Sequence, residues 1–297
     1  MSIKPSSILI IVLLIVSCGS SKQIASTTPT EDTIQKEEQI VELEVAIEVE
    51  ETETIETPVE IESTETVPDT IVEPEIIESN ETQTFSHDIW NSILQKHVTD
   101  QGNVNYKGIR ADKTRFNTYL KSLSETPPQD SWSNDETLAY WMNVYNAFTV
   151  KLILDNYPIE SIKDIDGPWN HRFIKIGDKW FTLNDIEHRI IRKMDEPRIH
   201  FALVCAAISC PRLYNKAFTV KDLETDLVLL TEDFLNDTSK NELSENSIKL
   251  SRIFKWYGGD FKTNGSSLID FLNQYSNVTI SDKAKKSYKD YNWDLND

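Results

Sequence analysis

Apolar residues recur at helical spacing in several segments of the chain. In "DKTRFNTYLKSL" they stand at positions i, i+3, i+4 and i+7, namely at Phe116, Tyr119, Leu120 and Leu123. Asp112 stands where the N-cap of this helix would lie. The segments that we predict to be helices on such grounds are "DIWNSILQKHV", "DKTRFNTYLKSL", "DLETDLVLLTEDFL" and "SSLIDFLNQY".

Other segments favour strands. "RFIKIGDKWFTL" predicts a hairpin that turns at Gly177-Asp178. "FALVCAAIS" is a short apolar run typical of a buried strand, and "NSIKLSRIF" is a further strand candidate. Because helices outnumber strands and do not alternate with them regularly, we predict a helix-rich α+β single domain with a small antiparallel sheet.

One predicted helix is apolar on every side. It begins with a capping box of Ser133 and Glu136 and ends before Pro158. Such a helix is buried in a core, yet this one carries Asn143 and Asn146. A buried amide without partners costs about 1–3 kcal/mol, so both should be hydrogen-bonded. They would either belong to a structural network that fixes neighbouring loops, or orient a ligand or stabilise an oxyanion at a site.

The first 18 residues are typical of a bacterial lipoprotein signal peptide. Lys4 precedes an apolar run over residues 8–16, which is shorter than the roughly 20 residues that span a bilayer. The run leads into Ile15-Val16-Ser17-Cys18, which resembles a lipobox. We therefore predict that acyl chains on Cys18 anchor the protein to a lipid bilayer of the cell envelope, with the membrane and leaflet left open.

Acidic residues concentrate after this signal. Residues 31–84 contain 19 aspartates and glutamates and one lysine. Because like charges repel and aromatic residues are absent, we predict a disordered acidic tether over residues 19–84. Residues 85–297 are the predicted domain, and their charge is nearly balanced. Neither part has the basic patch of a nucleic-acid-binding protein, so we exclude nucleic acid as a partner.

"TLNDIEHRIIRKM" places a carboxylate and an imidazole in the first turns of a helix. Asn184 as N-cap and Glu187 at N3 would form a second capping box. At 100° per residue, Glu187 projects into the apolar face and His188 points away from it. Glu187 is therefore either a helix cap or a buried carboxylate, whose pKa burial raises unless a cation or a donor compensates.

The stretch "HFALVCAAISCPRL" contains His200, Cys205 and Cys210. Cysteines five residues apart lie about 16 Å apart in a strand, and in a helix the rise alone separates them by about 7.5 Å. A disulfide requires Cα atoms within about 7 Å, so pairing is not favoured unless the chain turns sharply between them. We interpret Cys205 as a core residue and Cys210, which precedes Pro211, as a candidate nucleophile.

Three histidines are candidates for the base that would activate such a nucleophile. In a straight strand His200 lies about 33 Å from Cys210, so it serves only if the chain folds back. His188 and His171 are the alternatives. The spacing His-x4-Cys-x4-Cys is not that of a zinc site, and the sequence predicts neither a metal nor another cofactor.

Several blocks in order resemble the bacterial and plant family known as domain of unknown function 547, from about Asp135 to Asn296. The blocks are "WMNVYNAFTV", "NYPIESI", "FTLNDIEHRIIR", "RIHFALVCAAISCPRL", "RIFKWYGGDF" and "YNWDLN". The resemblance implies which positions matter without implying a reaction, since the family has no settled activity. The family's motifs map onto Asn143, Tyr145, Asn146, Glu187, His188, His200, Ser209, Cys210 and Pro211.

A more distant similarity links the buried helix, "NYPI" and the hairpin to transglutaminase-like and papain-like cysteine hydrolases. In those folds the nucleophilic cysteine begins the corresponding helix. Here that helix contains no cysteine, so a thiol would have to come from another element such as Cys210.

From these observations we expect an envelope lipoprotein whose domain binds a small polar, peptide-like or glycan-like ligand in a polar pocket. The alternatives are a thiol-dependent hydrolase or transferase that acts on amide or ester bonds, and a non-catalytic scaffold for another envelope protein. The candidate ligand-binding residues are Asn143, Tyr145 and Asn146, and the candidate catalytic residues are Cys210, His200, Glu187 and His188.

Overall fold

The computed structural model describes residues 84–262 and 265–297. These residues form a helix-rich α+β domain, which confirms the predicted fold class. The predicted signal peptide, the lipidation site Cys18 and all but the last residue of the predicted tether lie outside the described residues. Within the described part of the chain, no helix is both long enough and apolar enough to cross a bilayer.

The first half of the domain is helical. The two predicted N-terminal helices are confirmed, although Asp112 does not cap α3 with its side chain and instead pairs with Lys96 at 3.2 Å. The helices of this half are α1 (Asp88–His97), α2 (Tyr106–Ala111), α3 (Lys113–Glu125) and α4 (Asn134–Asn156).

Helix α4 is the buried helix that the sequence predicts. The hydroxyl of Ser133 accepts the backbone N–H of Glu136 at 3.1 Å, so this residue is the N-cap as expected. Leu138, Val144 and Ile153 are buried on different sides of the helix. Helix α4 therefore lies in the middle of the larger hydrophobic core, and the other elements pack around it.

The strands form two small sheets. The hairpin is confirmed, with β1 (Ile174–Ile176) antiparallel to β2 (Lys179–Phe181) and Gly177 at φ 56° in the turn. The second sheet has the order β3 (Glu242–Ser244), β4 (Ser247–Leu250), β5 (Lys285–Tyr288). It is mixed rather than antiparallel, because β5 pairs with β4 in the parallel sense.

The predicted strand at "FALVCAAIS" is wrong. The chain there forms a 3₁₀ helix, Pro197–Phe201, followed by turns in which Ala206 adopts a positive φ of 55°. The sharp turn brings the Cα atoms of Cys205 and Cys210 to 6.0 Å, and the two residues form a disulfide. The expectation against pairing was wrong because it assumed regular backbone geometry between the cysteines.

The second half of the domain has its own hydrophobic cluster. Phe201, Phe254, Phe261 and Phe271 pack together there. The neighbouring Ile199 and Ala202 belong to the larger core around α4, so the segment from 199 to 202 joins the two clusters. The helices of this half are α5 (Leu223–Asn236), α6 (Ile253–Trp256) and α7 (Leu268–Tyr275).

A buried histidine makes the stability of this fold dependent on pH. The Nδ1 atom of His87 lies 2.7 Å from the hydroxyl of Tyr119. Burial lowers the pKa of His87 to about 3, although Asp88 opposes the shift. The unfolded chain protonates this histidine near pH 6.5, so it binds more protons than the folded chain between pH 6.5 and 3, and stability falls as the pH falls.

We expect that the free energy of unfolding drops by about 3 kcal/mol more in the wild type than in His87→Gln between pH 7 and pH 4. Urea denaturation at both pH values measures this difference. His171→Gln, at an exposed position, is the matched control and should behave as the wild type. Equal losses in the wild type and His87→Gln would contradict the assignment.

Candidate functional site

Asn143 and Asn146 lie inside the core. The side chain of Asn143 bonds to the backbone carbonyls of Ala139 and Phe218 and accepts the N–H of Phe218. Asn146 donates to the carbonyl of Ala202 at 2.9 Å and accepts the N–H of Val204 at 3.1 Å. Both amides are buried and committed to backbone groups. These contacts are those of the structural alternative, in which the amides fix neighbouring loops onto α4.

The helix that carries Glu187 begins differently from the prediction. Asn184 has helical backbone angles, φ −59° and ψ −41°, and makes no side-chain cap. The reciprocal pair is instead Thr182 and Asp185, whose side chains accept each other's backbone N–H at 2.9 and 2.8 Å. The helix therefore starts earlier, and Glu187 is not needed as a cap.

Residues Asp185–Ile190 form a π-helical turn. A π turn contains more residues than an α turn, so a projection at 100° per residue does not hold here. His188 was predicted to point away from the apolar face, and this is wrong. It is half-buried, and its Nδ1 lies 2.8 Å from a guanidinium nitrogen of Arg192.

Glu187 is a buried carboxylate whose two oxygens both accept hydrogen bonds. Only 6% of the residue is exposed. The hydroxyl of Tyr145 on α4 donates to Oε2 at 2.8 Å, and the hydroxyl of Tyr257 donates to Oε1 at 2.6 Å. Burial raises the pKa of Glu187, but the neighbouring imidazoles of His188 and His200 and the two hydroxyls outweigh burial and lower its pKa below the ordinary value.

A second carboxylate, Asp260, holds a histidine and an arginine. Its Oδ2 lies 2.8 Å from Nε2 of His200, and Arg192 donates to both carboxylate oxygens at 2.7 and 2.8 Å. Burial opposes ionisation, yet the bonds from His200 and Arg192 hold the pKa of Asp260 well below its usual range. The site therefore contains two compensated carboxylates.

Tyr257 connects the two carboxylates. Its ring stacks on His200 with 4.0 Å between centroids, while its hydroxyl reaches Glu187. The N–H of Asp260 bonds to the carbonyl of Tyr257 at 3.0 Å, which closes a tight turn through two glycines. This turn places the side chains of Tyr257 and Asp260 at the same site. We call the connected group the Glu187 cluster, and its members are Tyr145, Glu187, His188, Arg192, His200, Tyr257 and Asp260.

The surroundings of His188 favour the neutral form of its ring. Burial lowers the pKa of His188, and Arg192 lowers it further, although Glu187 and Asp260 oppose both effects. Because the guanidinium of Arg192 donates to Nδ1 of His188, the remaining proton of the neutral ring is on Nε2. In its neutral form, the His188 ring can thus donate a hydrogen bond from Nε2.

Four half-buried aromatic side chains adjoin the cluster, and we call them the aromatic wall: Trp169, Trp256, Tyr291 and Trp293. The ring of Trp293 lies 5.9 Å from those of Trp169 and Trp256 and 4.6 Å from that of Tyr291. Trp256 also immediately precedes Tyr257 of the Glu187 cluster along the chain. The aromatic wall is therefore continuous with the Glu187 cluster.

The structure places Cys210 beside this site but as half of a disulfide. Cys210 is buried, and Sγ of Cys205 lies 3.3 Å from the hydroxyl of Tyr291. While the disulfide is intact, neither sulfur is a thiol that could attack a substrate. Among the described residues, the hydrogen-bond partner of His200 is Asp260 rather than Cys210.

From the sequence we identify Tyr145, Glu187, His188 and His200 as candidate site residues, and the structure places them close together. Sequence reasoning missed Arg192, Tyr257, Asp260 and the aromatic wall. One signal was present, because "RIFKWYGGDF" and "YNWDLN" carry five of the missed residues and belong to the family resemblance. The spacing within those blocks does not reveal that they meet Glu187.

We expect Glu187→Gln to lower the free energy of unfolding by about 2 kcal/mol at pH 7, because an amide cannot accept both hydroxyl hydrogen bonds as a carboxylate does. Since folding lowers the pKa of Glu187, this stabilisation is present above pH 4.3 and is lost as the pH falls through the folded-state value. Urea denaturation between pH 7 and pH 3 measures the gap between variant and wild type.

Glu232→Gln is the matched control, because Glu232 is exposed on α5. It should change the free energy of unfolding little at any pH. If the difference in free energy of unfolding between Glu187→Gln and the wild type does not narrow as the pH falls, the assignment of Glu187 as a charged carboxylate bonded to two hydroxyls would be contradicted.

The middle of the domain is similar to a known protein family. Residues 129–235 match the family described as "Protein of unknown function, DUF547". The matched range includes Tyr145, Glu187 and His200 but ends before Tyr257 and Asp260, which complete the cluster. Neither the search of curated proteins nor that of solved structures gave a match. Over residues 129–235, the chain is therefore similar to the DUF547 family.

Proposed function

We propose that this protein is a membrane-anchored envelope lipoprotein whose domain binds a small, polyhydroxylated, glycan-like ligand where the aromatic wall meets the Glu187 cluster. The observation that carries the proposal is the continuity of these two groups, since Trp256 of the wall immediately precedes Tyr257 of the cluster and stacks on Trp293. Apolar rings beside fixed polar groups are the usual composition of a small-molecule site.

The aromatic wall supports a sugar ring as the ligand. A pyranose has faces of C–H groups that pack on aromatic rings, and its rim carries hydroxyls that need polar partners. Trp169, Tyr291 and Trp293 are all half-buried, so part of each residue is accessible. Lys163 lies over the ring of Trp293 at 4.4 Å and adds a cationic donor at the edge of the wall.

The Glu187 cluster supports recognition by hydrogen bonds. Its side chains are fixed by one another, as shown by the bidentate contact of Arg192 with Asp260 and the stacking of Tyr257 on His200. A fixed set of donors and acceptors binds a polar ligand without first being ordered, which reduces the entropic cost of binding. The half-buried imidazole of His188 is the member that we assign to direct contact.

The disulfide weighs against the thiol-dependent hydrolase as the resting activity. A thiolate at Cys210 would require reduction of its bond to Cys205. We therefore assign the site to binding, and we assign Tyr145 and Glu187 to its polar floor. Asn143 and Asn146 support this floor from the core rather than touching the ligand.

The proposed anchor rests on the sequence of the N-terminus. The apolar run and the lipobox-like Ile15-Val16-Ser17-Cys18 support acylation of Cys18, and two or more acyl chains suffice for stable attachment. The acidic segment over residues 19–84 would hold the domain away from the lipid surface by charge repulsion. The bilayer and the ligand are then the two partners of this protein.

Ligand binding is tested by titrating the full chain with triacetylchitotriose as the glycan probe and trialanine as the peptide probe, followed by tryptophan fluorescence. We expect saturable binding of the glycan and an affinity about tenfold weaker in Trp293→Ala, which corresponds to about 1.4 kcal/mol of lost packing. Trp180→Ala, at the exposed tryptophan of the hairpin, should bind as the wild type does.

Circular dichroism of both variants verifies that they are folded. Saturable binding of trialanine alone would replace the glycan with a peptide as the ligand. Absence of binding by both probes, or equal affinity in Trp293→Ala and the wild type, would contradict the assignment to the aromatic wall.

Anchoring is tested by expressing the full chain in a bacterium supplied with a clickable palmitate analogue. We expect label on the wild type and its recovery in the membrane fraction. Cys18→Ser should lose both, and Ser20→Ala, two residues away, should lose neither. Label that persists in Cys18→Ser would contradict the assignment of the lipidation site.

A further inference from the structure

The disulfide is asymmetric in its surroundings. Cys205 is half-buried, whereas Cys210 is only 4% exposed. The Sγ atom of Cys210 accepts the backbone N–H of Cys205 at 2.8 Å, while Sγ of Cys205 lies 3.3 Å from the hydroxyl of Tyr291. Cys205 is therefore the more exposed residue, and the shorter of the two hydrogen-bond contacts is the one to Sγ of Cys210.

We propose that Cys205–Cys210 is a thiol–disulfide exchange site, which a dithiol reductant opens in the folded protein. A thiolate of the reductant attacks Sγ of Cys205, the S–S bond breaks, and Cys210 leaves as a thiolate. The second thiol of the reductant then attacks the mixed disulfide and releases Cys205. Two electrons and two protons pass from the dithiol to the protein, and the reductant becomes a disulfide.

The direction of attack follows from exposure and hydrogen bonding. Exchange depends on access to the attacked sulfur and on the stability of the thiolate that leaves. Residue exposure favours attack at Cys205, and the N–H that lies 2.8 Å from Sγ of Cys210 stabilises negative charge there more closely than the Tyr291 hydroxyl at 3.3 Å does at Cys205. The chain between the cysteines is short, so the bond restrains a small loop and opens without unfolding the domain.

The restrained loop holds the C-terminal segment. The N–H of Ile208 bonds to the carbonyl of Asp294 at 2.8 Å, and the N–H of Ser209 bonds to that of Asn292 at 3.1 Å. The hydroxyl of Ser209 accepts the N–H of Asn292 at 2.8 Å, and Ala207 forms a bridge with Leu295. This C-terminal segment, residues 291–296, carries both Tyr291 and Trp293 of the aromatic wall.

The loop also contains a residue in an unfavourable conformation. Ala206 has a φ of 55°, in the left-handed region that non-glycine residues seldom adopt. Its carbonyl accepts the N–H of Asn296 at 3.3 Å, so the conformation contributes to holding the C-terminal segment. Opening the disulfide removes the covalent restraint on Ala206. Reduction is therefore expected to loosen the segment that carries half of the aromatic wall.

The first experiment maps the attacked sulfur. The full chain is incubated with reduced glutathione without denaturant, quenched with iodoacetamide, and analysed by peptide mass spectrometry. We expect the glutathione adduct on Cys205 and the carbamidomethyl group on Cys210. An adduct on Cys210, or no adduct until urea unfolds the domain as followed by circular dichroism, would overturn the proposal.

The second experiment measures the effect of opening on the C-terminal segment. The full chain is compared by hydrogen–deuterium exchange before and after reduction with dithiothreitol. We expect the amides of Ile208, Ser209 and Asn292 to exchange at least tenfold faster after reduction, and peptides from α3 to be unchanged. Unchanged exchange at residues 206–210 and 291–296 would overturn the coupling between the disulfide and the wall.

Two variants separate the effect of the bond from that of the reagent. Cys205→Ser/Cys210→Ser should show the fast exchange without dithiothreitol and no further change when it is added. Tyr291→Phe keeps the disulfide and should retain slow exchange at Ile208 and Ser209. If the double variant fails to fold, the reduced wild-type chain alone decides between coupling and its absence.

Discussion

The site depends on the compensation of one buried charge. An ionised carboxylate in a protein interior is costly unless hydrogen bonds and opposite charge replace its hydration. Glu187 receives this compensation from two hydroxyls, one on the central helix and one on the turn after α6. Tyr145 and Tyr257 come from distant parts of the chain, so satisfying a single carboxylate brings the two halves of the domain to the same place.

Asp260 is a second, half-buried carboxylate whose charge must be compensated. It would be as costly as Glu187 without His200 and Arg192, and these partners in turn touch Tyr257 and His188. Each polar group in this arrangement is held by another, so the loss of one leaves its neighbours unsatisfied. Such a network is rigid, and rigidity is what a binding site for a small polar ligand needs.

The segment from 197 to 210 decides how the two hydrophobic clusters relate to the site. Phe201 belongs to the smaller cluster, and Ala202 belongs to the larger one. His200, which precedes Phe201, faces Asp260. The following turns end in the disulfide, which holds the loop that the C-terminal segment pairs with. Core packing, the polar network and the aromatic wall therefore share one short stretch of backbone.

The sequence by itself determined the helix-rich α+β class, the buried helix with its Ser133 cap, the hairpin at Gly177, and several polar residues of the site, including Glu187 and His200. These follow from local periodicity, caps and turns, which are properties of neighbouring residues. Only the tertiary structure decided the disulfide, the true cap at Thr182 and the side on which His188 lies. Each depends on backbone that leaves regular geometry, at the turn near Ala206 or in the π turn. Likewise Tyr257 and Asp260 reach Glu187 and His200 from about 60 to 70 residues away, and the burial of charge that selects such contacts is not visible in spacing along the chain.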